Sequence, residues 1–122
     1  MRSAILSITH ISEVEAAEGP YVNLVSGDRS IHILYGDANA GGHLWPGLPG
    51  ETPFPESWSA PRILHEVSDV ATDPLSLTTP GRWGRTIVTG TRDGVQIQVI
   101  IESPARGGGI VTGYPTNLPR NP

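Results

Sequence analysis

The sequence predicts an α+β fold in which an antiparallel β-meander packs on a helix. From Val95 to Ile101 every second residue is apolar, which is typical of a strand with one buried face. The pair Asp93-Gly94 comes directly before this segment and is a strong hairpin turn signal. Upstream, apolar residues recur at helical spacing between residues 63 and 71.

The helix has recognisable ends. Ser59 is a suitable N-cap, and Pro61 falls in the first turn, where its missing N–H is harmless. Asp73-Pro74 ends the helix. Arg62 and Glu66 stand four residues apart and are expected on the solvent face, and His65 is expected to be solvated there.

Three strands follow the helix. After a loop rich in Ser, Thr and Pro, residues Arg85 to Thr91 form the first strand, and the segment after Asp93-Gly94 forms the second. A triple-glycine turn at 107–109 leads into a third, Ile110 to Tyr114. The N-terminal stretch from Ala4 to Ile11 fits either a helix or a strand.

Composition limits the possible functions. The 122 residues form one domain, without a long apolar run or an N-terminal secretory pattern. With no cysteine, disulfides, thiolate zinc sites and cysteine nucleophiles are excluded. The net charge of −4 argues against a broad electrostatic surface for nucleic acid. All eight basic residues are arginine, so a catalytic cation would have to be Arg or His.

Two histidines flank a glycine-rich segment and are the strongest candidates for chemistry. His32 lies in the run Ile31–Tyr35, and His43 follows Gly41-Gly42. Histidine titrates near neutral pH, so a pair of them can act as base and acid in the cleavage of RNA by its own 2′-hydroxyl. The alternative is that His32 is a half-buried strand residue and His43 an ordinary loop residue.

Two further alternatives concern the same region. His32, Asp37 and His43 could converge on a divalent metal, as in a metal-dependent nuclease or hydrolase. The segment from Gly36 to Pro61 is dense in glycine and proline, and we expect an ordered, functional loop. Its aromatic residues Trp45, Phe54 and Trp58 are expected to pin this loop to the core. The alternative is a non-catalytic protein-binding module, in which Trp45, Trp58 and the proline-rich loop form the recognition surface.

Five motifs resemble the bacterial EndoU endoribonuclease family, and together they cover about residue 31 to the C-terminus. They are His32-Ile-Leu-Tyr-Gly-Asp, Gly41-Gly-His43, Thr52-Pro-Phe-Pro-Glu-Ser-Trp58, Gly90-Thr-Arg-Asp-Gly-Val95 and Thr112-Gly-Tyr-Pro-Thr-Asn117. The resemblance divides the single domain into an unassigned segment, 1–30, and a nuclease core, 31–122. It implies an α+β fold with an antiparallel sheet around a central catalytic cleft.

The resemblance also implies an activity and a setting. Family members cleave single-stranded RNA, often beside uridines, and leave 2′,3′-cyclic phosphate and 5′-hydroxyl ends without a cofactor or metal. In bacteria they are commonly the toxin portion of contact-dependent or secreted antibacterial proteins. The implied partners are RNA, with tRNA as one candidate target, a cognate immunity protein and an upstream delivery scaffold. The implied place of action is the cytoplasm of the target cell after delivery from the producer.

Carried over by motif, His32 and His43 match the two catalytic histidines, with His43 favoured as base and His32 as acid. Thr112 and Tyr114 match the pair that contacts base and ribose, and Gly42 is expected beside the substrate. Many members use a lysine against the charge on the phosphorane, and this chain has none. Arg85 is our expected replacement, with Arg82 and Arg92 as neighbouring substrate contacts.

Overall fold

The computed structural model describes residues 21–122, and it contains two α-helices and four β-strands. The predicted element at Ala4–Ile11 lies outside this range. The helices are α1 (Gly27–Tyr35) and α2 (Ala60–Thr72); the strands are β1 (Leu77–Pro80), β2 (Thr86–Arg92), β3 (Val95–Ile101) and β4 (Ile110–Pro115). Within the described part of the chain, no helix has the length and apolar character to cross a membrane.

The strands form one antiparallel sheet in the order β1-β2-β3-β4. The turn between β2 and β3 is the predicted Asp93-Gly94 pair, and both residues have positive φ (50° and 77°). Two successive positive φ values are what a two-residue hairpin with right-handed strand twist requires, and Gly supplies one of them without strain. The predicted meander and the α+β fold class are therefore confirmed.

Helix α2 packs across one face of this sheet. The Ser59 side chain accepts the backbone N–H of Arg62 (3.3 Å), and Asp73 caps the other end, as predicted. Val67 lies so close to β4 that a Cβ at Gly113 would approach its methyl groups to 2.9 Å. The apolar core lies between this helix, the sheet and α1; its fully buried members are Ile33, Phe54, Ile63, Val67, Val70, Ile97 and Val99.

Two predictions about the α2 surface are wrong. Glu66 does pair with Arg62 (3.3 Å), but its side chain is buried and not on a solvent face. His65 is also buried, and its ring Nδ1 accepts the backbone N–H of Val22 at 3.1 Å. The chain N-terminal to α1 covers this side of α2, and helical spacing alone cannot reveal such a cover.

The first helix and the first strand differ from what the sequence predicts. The run containing His32 is helical, so the alternative of a strand residue is wrong. Ser26 caps the helix, and Gly36 ends it with φ 86° while its N–H donates to the carbonyl of His32. Strand β1 lies inside the predicted Ser/Thr/Pro loop, and it pairs with β2 although its four residues are all exposed.

Candidate active site

A cleft of about 420 Å³ lies between the C-terminal half of α1, the loop that follows it, and β4. Strand β4 is an edge strand of the sheet, and α1 packs against it. The residues that line the cleft are His32, Asn39, Ala40, Gly41, His43, Gly50, Glu51, Thr52, Thr112, Tyr114, Pro115, Thr116 and Arg120. The structure thus brings together the predicted histidine pair, His32 and His43, and the two predicted nucleotide contacts, Thr112 and Tyr114.

The two histidines are held together through the backbone. The chain after α1 turns back at Gly41 and pairs with the last turn of the helix, where carbonyls lack partners within the helix. Gly42 N–H donates to His32 O (3.0 Å), and His43 N–H donates to Ile33 O (2.7 Å). Gly41 has φ +86°, and a Cβ there would lie 2.0 Å from the His32 carbonyl oxygen. Only glycine fits this approach.

The ring of His32 is oriented by a carboxylate. Its Nδ1 lies 3.0 Å from Asp37 Oδ1, and the His32 side chain is nearly buried. The hydrogen bond from His32, followed by one from the Asn39 backbone, lowers the pKa of Asp37, so this carboxylate is ionised at neutral pH. An ionised carboxylate can only accept; Nδ1 therefore carries a proton, and Nε2 is left for a ligand.

The ring of His43 is oriented by a neutral group instead. Its Nδ1 lies 2.8 Å from the carbonyl oxygen of Thr52, which can only accept, so the proton of the neutral ring sits on Nδ1. Burial is the main cause that lowers the pKa of His43, against smaller opposite effects of the Thr52 hydrogen bond and Glu51. The lone pair is then on Nε2, which lies 3.7 Å from Glu51 Oε1 in the cleft.

Thr112 and Tyr114 reach the cleft from β4 by strand alternation. Their neighbours Val111, Gly113 and Pro115 are buried, and the two alternate residues are half-exposed on the face away from α2. The Tyr114 ring lies beside that of His43, with centroids 5.6 Å apart and planes 32° apart.

A residue on the neighbouring strand fixes the position of this tyrosine. Gln98 on β3 donates its side-chain N–H to the Tyr114 hydroxyl at 2.7 Å, and the two residues are register partners. Sequence pattern alone does not indicate this contact, because Gln98 is one of several polar residues on the outer face of a strand.

The arginines expected at the site lie elsewhere. Arg85 is held by both oxygens of Glu102 (3.1 and 3.0 Å), and Arg92 by Asp69 and Asp73 (2.9 Å each). Neither these two arginines nor Arg82 are among the residues that line the cleft, and Gly42 is not among them either. Within residues 21–122 the arginine that does line it is Arg120, which sequence reasoning passed over as part of a C-terminal tail.

The structure also bears on the metal-site and protein-binding alternatives. Among the described residues, no three His, Asp or Glu side chains converge as a metal ion would require. Asp37 is instead hydrogen-bonded to His32, and the Nδ1 of His43 points to Thr52. The protein-binding surface built on Trp58 is wrong, because Trp58 is buried and stacked on Phe54 (centroids 5.6 Å apart). The expectation of an ordered 36–61 loop pinned by aromatics holds for these two residues, while Trp45 is 48% exposed.

Comparison with known proteins identifies the family of this chain. No curated protein and no solved structure matches the chain. The family model described as bacterial EndoU nuclease matches residues 26–117 of the 122. This span includes α1, both cleft histidines and all four strands, and the chain therefore belongs to the bacterial EndoU nuclease family.

Proposed function

We propose that this nuclease is a metal-independent endoribonuclease. It cleaves single-stranded RNA, with a preference for uridine, to 2′,3′-cyclic phosphate and 5′-hydroxyl ends. The observation that carries the proposal is the pair of imidazoles in one cleft, each with Nδ1 committed to a different kind of partner and with Nε2 available. A base and an acid are the two groups that a cyclising transesterification needs.

The proposed reaction divides its two proton transfers between the rings. His43 Nε2 takes the proton of the 2′-hydroxyl, and the 2′-oxygen attacks the adjacent phosphorus. The bond from phosphorus to the 5′-oxygen breaks, and His32 Nε2 donates a proton to that leaving oxygen. His43 suits the base because burial keeps its ring neutral. His32 suits the acid because the Asp37 carboxylate compensates the positive charge of a protonated ring.

Thr112 and Tyr114 are proposed to hold the nucleotide 5′ to the scissile bond. A threonine hydroxyl can bond to a pyrimidine edge, and an aromatic ring offers a stacking surface worth about 1–3 kcal/mol per base. Both side chains are half-exposed in the cleft next to His43, where a ribose would have to lie for its 2′-hydroxyl to reach the ring.

The test is digestion of a single-stranded RNA that contains one uridine, by purified protein in excess EDTA. Expected are a cyclic-phosphate end and a 5′-hydroxyl end, loss of cleavage in His32→Ala and His43→Ala, and no cleavage when that uridine is replaced by 2′-deoxyuridine. Arg106→Ala, a change at an exposed residue away from the cleft, is the control. Cleavage that EDTA abolishes, or cleavage of the deoxy substrate, contradicts the mechanism.

We also propose, from the family resemblance, that the activity serves as an antibacterial toxin. The domain would be carried by an upstream delivery scaffold into the cytoplasm of a target cell, and the producer would be protected by a cognate immunity protein. Induced expression in a bacterial host should arrest growth and degrade RNA, and His43→Ala should abolish both. Arrest that persists in a folded His43→Ala variant contradicts a role for cleavage in toxicity.

A further inference from the structure

We infer that Arg120, on the C-terminal tail, binds a phosphate group of the RNA in the cleft. The inference deepens the proposed function, because it names the cationic contact for that substrate. The need is physical: the two rings can move protons, but a bound phosphodiester is anionic and gains charge density as the new bond forms. The cleft also contains the Glu51 carboxylate, which repels phosphate.

Among the described arginines, Arg120 is the one placed for this contact. Its Nε donates to the carbonyl oxygen of Gly50 (2.6 Å), which fixes the guanidinium at the cleft wall. No ion pair links Arg120 to a carboxylate within residues 21–122, in contrast to Arg62, Arg85 and Arg92. Its two terminal nitrogens are therefore available to take phosphate oxygens as a bidentate fork.

The tail is also held firmly enough to position this side chain. Asn121 N–H donates to Glu51 O (2.9 Å), and its side-chain amide donates to Pro46 O (2.9 Å) and Leu48 O (3.1 Å). The carbonyl of Pro122 accepts the N–H of Gly50 at 3.1 Å. Segment 46–51 ends at Glu51, whose carboxylate lies 3.7 Å from His43 Nε2. The tail is therefore hydrogen-bonded to the segment that lies next to His43.

A binding experiment separates the charge of Arg120 from its structural contacts. The probe is a fluorescent uridine oligonucleotide with 2′-O-methyl groups, which cannot be cleaved through a 2′-hydroxyl. Its dissociation constant is measured by anisotropy over a series of NaCl concentrations. Each phosphate contact to a single strand contributes about −0.7 to the slope of log K against log salt. Arg120→Gln should weaken binding by about ten-fold to a hundred-fold and make the slope shallower by about 0.7.

Three further variants decide the interpretation. Arg106→Gln removes the same charge from an exposed site away from the cleft, and Asn121→Ala loosens the tail without removing a charge. Arg106→Gln should keep the wild-type slope, and Arg120→Lys should restore most of it. Asn121→Ala should weaken binding less than Arg120→Gln, because it loosens the tail but keeps the guanidinium. The inference is overturned if Arg106→Gln lowers the slope equally, if Arg120→Lys restores none of it, or if folded wild-type protein does not bind the probe.

The outcome for the proposed function is read separately. Cleavage of unmodified RNA by the wild-type protein tests the reaction, whereas binding of the inert probe tests Arg120. If the protein binds the probe with an Arg120-dependent slope but does not cleave RNA, the phosphate site stands and the cyclising mechanism is rejected. If the protein cleaves RNA and Arg120→Gln leaves kcat and KM unchanged, the mechanism stands and the phosphate site is rejected.

Discussion

Replacing Gly41 by alanine should damage both stability and activity, because this residue joins the two histidines. A Cβ at this position would lie 2.0 Å from the His32 carbonyl oxygen and 3.0 Å from its carbon. Carbon and oxygen atoms do not approach so closely, so the loop must move away from α1 by about 1 Å. The movement stretches the hydrogen bonds from Gly42 to His32 and from His43 to Ile33.

The size of the effect follows from these contacts. A left-handed backbone conformation costs an alanine about 1–2 kcal/mol, and each weakened hydrogen bond costs about 1 kcal/mol, so the loss is roughly 2–4 kcal/mol. That is a large part of the 5–15 kcal/mol that usually stabilises a domain. A displacement of about 1 Å between catalytic groups can slow a reaction about a hundred-fold.

Urea denaturation and RNA cleavage measure the two effects in the same preparation. Gly109→Ala is the matched control, because a Cβ there meets nothing within 4 Å and its φ is not positive. We expect a lower denaturation midpoint for Gly41→Ala and little change for Gly109→Ala. A Gly41→Ala protein with wild-type midpoint and wild-type kcat/KM would refute the argument that this backbone approach positions the histidines.

Three other predictions concern single groups. Because burial lowers the pKa of His43, the acid limb of kcat/KM against pH should have its midpoint below 6.5; a midpoint above 6.5 would exclude His43 as base. Arg85 lowers the pKa of Glu102 from 4.5 to about 2, so the stability that this pair contributes is present above pH 4.5 and is lost as the pH falls from 4.5 to 2. The urea midpoint of Glu102→Gln should therefore depend less on pH over this range than that of the wild-type protein. Phe54 is fully buried and stacked on Trp58, so Phe54→Ala leaves a cavity and should lower the free energy of unfolding by about 3–5 kcal/mol. Phe54→Leu leaves a smaller cavity and should cost less; equal losses in the two variants would contradict cavity formation as the cause.

The parts of the fold that the sequence predicts are those with local signals. Helix α2 has its cap, its early proline and its apolar spacing within one stretch, and the β2–β3 hairpin has its turn and alternation together. Strand β1 has neither, because its residues are exposed and its order comes from pairing with β2. Helix α1 contains two β-branched isoleucines and is nine residues long, so packing of Ile33 in the core decides its conformation.

The same distinction applies to the candidate site. His32, His43, Thr112 and Tyr114 were found because their side-chain types and motifs are visible in the chain. Their supporting contacts were not found. The partner of His43 is a backbone carbonyl, which any residue would supply. The position of Arg120 depends on a tail that folds back about 70 residues to reach Gly50, and short-range patterns contain no trace of such a contact.

Replacing Asp37 by asparagine tests whether the two histidines differ because of their partners. The amide oxygen of asparagine can still accept the His32 Nδ1–H and the Asn39 backbone N–H, which Asp37 accepts at 3.0 and 2.8 Å, but its charge is lost. A protonated His32 then has no counter-charge. A hydrogen bond to a charged group contributes about 1.5–3 kcal/mol, so its weakening should lower activity by up to about 10–100-fold. Glu51→Gln removes an equal charge from the same cleft, 3.7 Å from His43, and makes the control.

We expect kcat at neutral pH to fall in Asp37→Asn and to change little in Glu51→Gln, whose main effect should be tighter RNA binding as a repulsive charge disappears. The readout is kcat and KM for a uridine-containing RNA, with a urea midpoint for each variant. If both variants lower kcat equally, the net charge of the cleft matters and the pairing of Asp37 with His32 does not. If Asp37→Asn leaves kcat unchanged in a folded protein, His32 does not work through its carboxylate partner, and the proposed division of acid and base loses its structural basis.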